Sequence, residues 1–257
     1  MIQGLRPRLR SGEPCVGTFS LIPSPEVIEI IALAGFDFVI IDMEHGVYDL
    51  GGARAALTAA AAHGLRAIVR VPLLEPAVIG AALDIGADAV LVPHVSCGDD
   101  ALRAVRAARF APEGARGANP YVRGTGYGSV SDWHAQANAR IAVMVMIEGL
   151  EGIAAAPEIL RTPGLDAVFL GPVDLSQAMG LPGQPGHPRV IAALESVARE
   201  AVAHGIATAV FAPDPDTARR WLKHDVRMVA CGVDTNLIRS ALTRTVTDIR
   251  GDVEGST

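Results

Sequence analysis

Lysine is almost missing from this chain. Of its 22 basic residues one alone, Lys223, is a lysine, and the others are arginines. Schiff-base chemistry needs a lysine amine inside the site. Lys223 stands in the run Asp216 to His224, which reads as a helix end ahead of a strand, so imine catalysis has no amine to use. Cysteine is scarce as well. Cys15, Cys97 and Cys231 are odd in number, scattered and without C-x-x-C spacing, which suggests neither a disulfide framework nor a zinc site and fits a reduced, cytoplasmic setting. No apolar run approaches the length that crosses a bilayer, and the N-terminus has no apolar signal core. Positive charge is not in excess: the formal net charge is −6, which offers no general attraction to nucleic acid or to an anionic membrane. Aromatics make up only 4% of the chain.

What is abundant is alanine, glycine and aliphatic residues, with half of the chain hydrophobic. That suits one well-cored domain over residues 1–257. Apolar, β-branched runs alternate with helical patterns. Strands are predicted at Cys15–Phe19, Phe36–Ile41, Leu65–Arg70, Ala89–Pro93, Ile141–Ile147, Ala167–Leu170, Ala207–Phe211 and Met228–Cys231. Helices are predicted from Pro25 to Ala34, Leu50 to Ala62, Glu75 to Ile85, Asp99 to Arg109, Ile153 to Leu160, Arg189 to Ala203, Asp214 to Lys223 and Thr235 to Ile249, with a frayed polar tail from Gly251 to Thr257. The joints Ala34-Gly35-Phe36, His63-Gly64-Leu65, Ile85-Gly86-Ala87 and His204-Gly205-Ile206 repeat one device, a glycine that ends a helix before a strand. Eight βα units with strands apolar on both faces predict a single (β/α)8 TIM barrel. A doubly wound open sheet is the alternative, but no glycine-rich dinucleotide fingerprint follows the first strand.

Residues 110–139 break this rhythm. They show no clear period and carry Gly114, Gly117, Gly124, Gly126 and Gly128 among Arg116, Arg123, Tyr121, Tyr127 and Trp133. A loop of this length in a compact barrel is usually functional or disordered. It joins a helix to a strand, so it belongs at the foot of its own barrel, within easier reach of a neighbouring subunit. Gly124-Thr125-Gly126-Tyr127-Gly128 looks like a phosphate loop only superficially, since no strand precedes it. Arg116 and Arg123 read as solvated, Trp133 and Trp221 as packing residues, and Asp37 as structural. His63 and His204 read as helix caps, Glu151 as a helix opener, and His134, His187 and His224 as surface residues.

The chemistry gathers where strands end. Phe36-Asp37-Phe38-Val39-Ile40-Ile41 releases Asp42, Glu44 and His45 within four positions. The third strand ends in Arg70, the fifth is followed by Glu148, and the sixth opens into Gly171-Pro172-Val173-Asp174. In a barrel these all lie on the C-terminal rim, where active sites form. Glu148 and Asp174 make a hard oxygen site that suits Mg²⁺ or Mn²⁺ with waters and a chelating substrate better than Zn²⁺. Arg70 can hold an oxyanion, and His45 can exchange protons near neutral pH.

Asp42-Met43-Glu44-His45-Gly46, Arg70-Val71-Pro72, Ile147-Glu148 and Phe169-Leu170-Gly171-Pro172-Val173-Asp174-Leu175-Ser176 together resemble the HpcH/HpaI aldolases, class II pyruvate aldolases of the phosphoenolpyruvate/pyruvate barrel superfamily. The resemblance spans most of the chain. It implies a carbon–carbon lyase that cleaves a 4-hydroxy-2-oxoacid reversibly to pyruvate, or a related 2-oxoacid, and an aldehyde. The cofactor would be Mg²⁺, Mn²⁺ or Co²⁺ on Glu148 and Asp174. It further implies Arg70 on the keto oxygen, His45 in proton transfer through water, Asp42 in support of His45, and Glu44 near metal-bound water. Backbone N–H groups around Val173 and Asp174, beside Gly171 and Pro172, would receive the substrate carboxylate. The same resemblance implies a homo-oligomer, a hexamer or trimer, with the last helix packed on a neighbour. Met146 stands where family aldolases often carry Gln, and His94 where an apolar residue is usual. Both lie on the acceptor side and bear on the second substrate. Some relatives instead make citrate from oxaloacetate and acetyl-CoA for siderophore synthesis. A reading of another class is a 2-oxoacid-binding barrel without catalysis.

Overall fold

The computed structural model describes the backbone of residues 4–254. Eight strands close into a barrel in chain order, every neighbouring pair parallel. They are β1 (Cys15–Ser20), β2 (Phe38–Asp42), β3 (Arg66–Arg70), β4 (Ala89–Val92), β5 (Ala142–Ile147), β6 (Ala167–Leu170), β7 (Ala207–Ala212) and β8 (Met228–Val233). The helices are α1 (Leu5–Ser11), α2 (Pro25–Leu33), α3 (Leu50–Ala62), α4 (Pro76–Asp84), α5 (Gly98–Ala108), α6 (Trp133–Arg140), α7 (Leu150–Ala154), α8 (Ala156–Ile159), α9 (Pro172–Ala178), α10 (Pro188–Ala203), α11 (Pro215–Leu222) and α12 (Asp234–Glu254).

Strand residues alternate between two apolar layers. Phe38, Ile40, Ile68, Leu91, Met144 and Phe169 fill the barrel interior, while Val39, Ile41, Val69, Val90, Val143 and Val168 face the helices. Glycine ends the helices as expected, with Gly35, Gly64, Gly86 and Gly205 all at positive φ. Ser24 caps α2 through Val27 N–H, and His63 and His204 are the C-terminal caps of α3 and α10. Lys223 caps the end of α11, below β8 and away from the rim.

Several segments differ from the sequence reading. The N-terminal segment forms α1, which is tied under the barrel by Arg6 to Asp166 and Arg8 to Asp37, both at 2.7 Å. Residues 110–139 carry a 3₁₀ turn at Arg123–Thr125 and most of α6, a polar helix too short to show a period. Arg116 is buried rather than solvated: it pairs with Asp84 at 2.6 Å and lies over the Phe110 ring at 4.4 Å. His187 is half-buried and caps α10 by accepting from Arg189 N–H. Trp133 packs edge-on against Phe110 as a core residue would. Helix α12 runs past Gly251 to Glu254, and residues 255–257 of the expected tail lie outside the described residues. Helix α12 exposes Leu237, Ile238, Leu242, Val246 and Ile249.

Candidate active site at the C-terminal rim

The β2–β3 register sets Asp42 directly beside Arg70. Arg70 answers with a two-pronged contact, Nε donating to Asp42 Oδ1 at 2.9 Å and Nη2 to Oδ2 at 2.5 Å. The planar guanidinium suits this bidentate grip, and its rigid fork fixes Arg70 in one orientation. Its face lies on the Phe19 ring, 5.0 Å from the centroid. The chain then turns sharply after β2. Asp42 Oδ1 also accepts from the backbone N–H groups of Glu44 and His45, and a Cβ on Gly46 would sit 2.2 Å from the Asp42 carbonyl oxygen. Only glycine fits that turn. Asp42 thus supports His45 through its backbone; the carboxylate itself is held by Arg70.

Glu44 folds back over Arg70. Its Oε2 lies 2.9 Å from Arg70 Nη1, a charge contact without an aligned hydrogen bond, and Oε1 lies 2.8 Å from His94 Nε2. His45 stands outside this cluster, its imidazole largely exposed and 4.0 Å from Glu44. Glu148, at the exit of β5, is 5% exposed. Burial pushes its carboxyl above the ordinary carboxylate range; the His94 N–H and imidazole oppose that shift, and the negative charges of Asp174 and Glu44 add to it.

Two cavities meet at Asp174, in the first turn of α9. One, of about 270 Å³, is lined by Asp42, His45, Arg70, Met146, Gly171 and Val173 among others. The second, of about 400 Å³, is lined by His94, Glu148, Asp174 and Gln177. The rim residues singled out from the sequence therefore line one double cavity, except Glu44, which lies behind it against Arg70 and His94. Sequence reasoning missed its apolar wall: Phe19, Leu21, Phe169, Phe211 and Val233. Each sits at or just beyond the end of β1, β6, β7 or β8, so the strand-exit rule that found the charged residues would have found them too. It also missed Asp234. Asp234 Oδ2 accepts from Ser20 Oγ and from the N–H groups of Leu21 and Ile22 at 2.9–3.0 Å, which holds the β1 exit in place.

The donor set fits a hard divalent cation. Asp42 and Glu44 contact the Arg70 guanidinium, Glu148 and Asp174 line the cavity next to it, and the charges of Asp174 and Glu44 help to raise Glu148. Among the described residues no three His, Cys, Asp or Glu side chains form a ready-made metal cage. A cation here would take two protein carboxylates and leave its other positions to water and substrate, the habit of Mg²⁺ rather than of Zn²⁺.

Comparison with known proteins finds relatives that span most of the chain. The sequence profile described as HpcH/HpaI aldolase/citrate lyase matches residues 16–241. The chain is 37% identical over 226 residues to 5-keto-4-deoxy-D-glucarate aldolase of Escherichia coli O6:H1, which covers 88% of each protein. Among solved structures it is similar to an HpcH/HpaI aldolase/citrate lyase family protein from Burkholderia cenocepacia J2315, with a TM-score of 0.92 at 35% identity over 96% of this chain and 98% of that one. It is also similar to citrate synthase SbnG, with a TM-score of 0.89 at 31% identity over 98% of this chain and 99% of that one.

Proposed function

Because the chain belongs to the HpcH/HpaI aldolase/citrate lyase family, we propose that its rim cleaves a 4-hydroxy-2-oxoacid with Glu148, Asp174, Arg70 and His45 as the working groups. The protein is an enzyme, a metal-dependent aldolase that breaks a carbon–carbon bond reversibly. Glu148 and Asp174 hold Mg²⁺, Mn²⁺ or Co²⁺. Bound there, the cation supplies Lewis-acid stabilisation to the negative charge that grows on the 2-oxoacid as the bond breaks.

Among the described residues Arg70 is the one arginine or lysine lining the cavity beside Asp174, and Asp42 fixes its direction. It holds the keto oxygen and favours the charge-rich transition state over the ground state. The first turn of α9, with Val173 and Asp174 behind Gly171 and Pro172, receives the substrate carboxylate. His45, exposed at the cavity wall, takes the proton of the acceptor hydroxyl through water during cleavage and returns it during addition. Met146 and the apolar wall enclose the methyl end of pyruvate, and His94 and Glu44 border the carboxylates. With no lysine on the rim, carbon–carbon cleavage through a covalent imine has no residue to carry it.

The observation that carries this reading is the pairing of a buried, charge-repelled Glu148 with Asp174 in one cavity, while Asp174 also lines the adjoining cavity with an Asp42-locked arginine. Likeness to citrate synthase SbnG favours a second reading, condensation of oxaloacetate with acetyl-CoA to citrate. A panel of 4-hydroxy-2-oxoacids including 5-keto-4-deoxy-D-glucarate, run beside oxaloacetate with acetyl-CoA and with each divalent metal, separates the two. The aldolase reading expects pyruvate, or a related 2-oxoacid, plus an aldehyde in the first assays and no citrate in the last. Citrate formation without aldol cleavage would overturn it. The partners are thus small molecules. The exposed apolar stripe of α12 supports a homo-oligomer, trimer or hexamer, and three unpaired cysteines support a cytoplasmic setting. Among the described residues no helix is long and apolar enough to cross a membrane.

A further inference from the structure

Glu148 is held from two sides, and that determines which of its oxygens is free. Oε1 accepts from the backbone N–H of His94 at 2.7 Å and lies 3.0 Å from His94 Nδ1. On the other side stands Gly171, where a Cβ would come within 3.1 Å of Oε2 and 2.6 Å of the Glu148 Cβ. Oε1 is thus engaged by His94, and Oε2 points toward the β6 exit that leads to Asp174.

His94 reaches this position with φ +55°, in the left-handed region. A residue other than glycine adopts that conformation at a steric cost, and such strain persists where surrounding contacts over-determine it, typically at functional sites. The neighbouring Val95 N–H donates to the Met146 carbonyl oxygen at 3.2 Å, which pins the segment across the end of β5. The far side of the ring lies 2.8 Å from Glu44 Oε1, and Glu44 Oε2 lies 2.9 Å from Arg70 Nη1. One line of contacts therefore runs from Asp42 through Arg70, Glu44 and His94 to Glu148.

We infer that His94 is a positioning residue for the metal centre. Its strained backbone and its imidazole hold Glu148 with Oε2 turned toward the Gly171 side, free for the cation it would hold, and they couple that carboxylate through Glu44 to the guanidinium that grips the substrate oxygen. The inference rests on the reading of Glu148 as a metal ligand. Residues that orient a metal ligand typically change metal affinity 10–100-fold when replaced.

The test is Mn²⁺ binding by the full-length chain without substrate, with free Mn²⁺ read by electron paramagnetic resonance, alongside Tm without metal. His94→Gly keeps the N–H and releases the strain but removes the ring. It is expected to hold or raise Tm and to weaken Mn²⁺ binding about tenfold or more. His94→Asn tolerates the same backbone and returns a short polar side chain, so its loss should be smaller than that of His94→Gly. A merely structural histidine would shift Tm and leave Mn²⁺ affinity alone. Wild-type Mn²⁺ affinity in His94→Gly, together with lost affinity in Glu148→Gln, overturns the role of His94 and leaves the metal site standing. Wild-type affinity in Glu148→Gln as well overturns both.

Discussion

Replacing Arg70 perturbs stability and chemistry through different contacts, so the two effects can be separated. Arg70→Ala deletes the donors on both Asp42 oxygens, at 2.9 and 2.5 Å, and the charge 2.9 Å from Glu44. Asp42 is 1% exposed, so its carboxylate loses its counter-ion inside the protein. Deleting one member of a buried pair costs about 3–5 kcal/mol. The Glu44 and His45 N–H groups stay on Asp42 Oδ1 and place this case at the low end, about 3 kcal/mol. The lost grip on the keto oxygen should cost about 3 kcal/mol more in the barrier, on the order of a hundredfold in rate. The double variant Arg70→Met with Asp42→Asn removes the Asp42–Arg70 pair as a whole and should regain most of the stability, with Glu44 left to its contact with His94. Its turnover should stay down. Urea denaturation measures the first effect. Aldol cleavage and exchange of pyruvate methyl protons into heavy water, both at saturating Mn²⁺, measure the second. Wild-type exchange in Arg70→Ala, or turnover that returns with stability in the double variant, would refute the reasoning.

Other outcomes follow from the same geometry. His45→Ala should lose aldol cleavage more severely than oxaloacetate decarboxylation, which has no acceptor hydroxyl to deprotonate; equal loss in paired assays would remove His45 from its role. Gly171→Ala should push Glu148 aside, since its Cβ would lie 2.6 Å from the Glu148 Cβ, and should weaken Mn²⁺ binding with little change in helix content. Borohydride with pyruvate should trap no adduct, and peptide mass mapping that finds one on Lys223 would contradict the mechanism. At the barrel foot, burial raises the Asp88 carboxyl, partly offset by the Ala67 N–H and by Arg66 and Arg140. A raised carboxyl favours folding while it is protonated. Its contribution is therefore present below about pH 4, the ordinary carboxylate value, and is lost as pH climbs through the raised one. Asp88→Asn should remove that part of the stability–pH curve, and an unchanged curve would reject the assignment.

How much was legible in the sequence depended on whether chemistry was set by strand position or by contacts across turns. Asp42, Arg70, Glu148 and Asp174 were readable because strand ends in an eight-fold βα alternation must share a rim. Their grouping did not require knowledge of register. The grip of Arg70 on Asp42 did, since it arises from β2 and β3 pairing those two positions side by side. Glu44 was expected near a metal-bound water, but the direction of the turn after β2 brings it onto Arg70 and His94, and nothing in the local sequence sets that direction. The left-handed backbone of His94 was equally hidden, because histidine's modest enrichment in that region marks no single position and the conformation is held by the Glu148 and Val95 contacts. At the foot, α1 and α6 were missed because both are short and polar on most faces, so tertiary contacts such as Arg6 to Asp166 fix them rather than periodicity.

The central claim is that Glu148 and Asp174 together hold the cation on which cleavage depends. The direct measurement is aldol cleavage by Glu148→Gln and Asp174→Asn, each titrated with Mn²⁺ after EDTA treatment, with bound Mn²⁺ counted in the same samples. These isosteric changes keep the cavity and remove one negative charge each. The account predicts folded proteins with wild-type helix content, Mn²⁺ affinity lower by at least about tenfold, and turnover that is lost in EDTA for the wild type and not restored in either variant by metal at the wild-type saturating level. Either variant cleaving substrate at the wild-type rate in excess EDTA would contradict it.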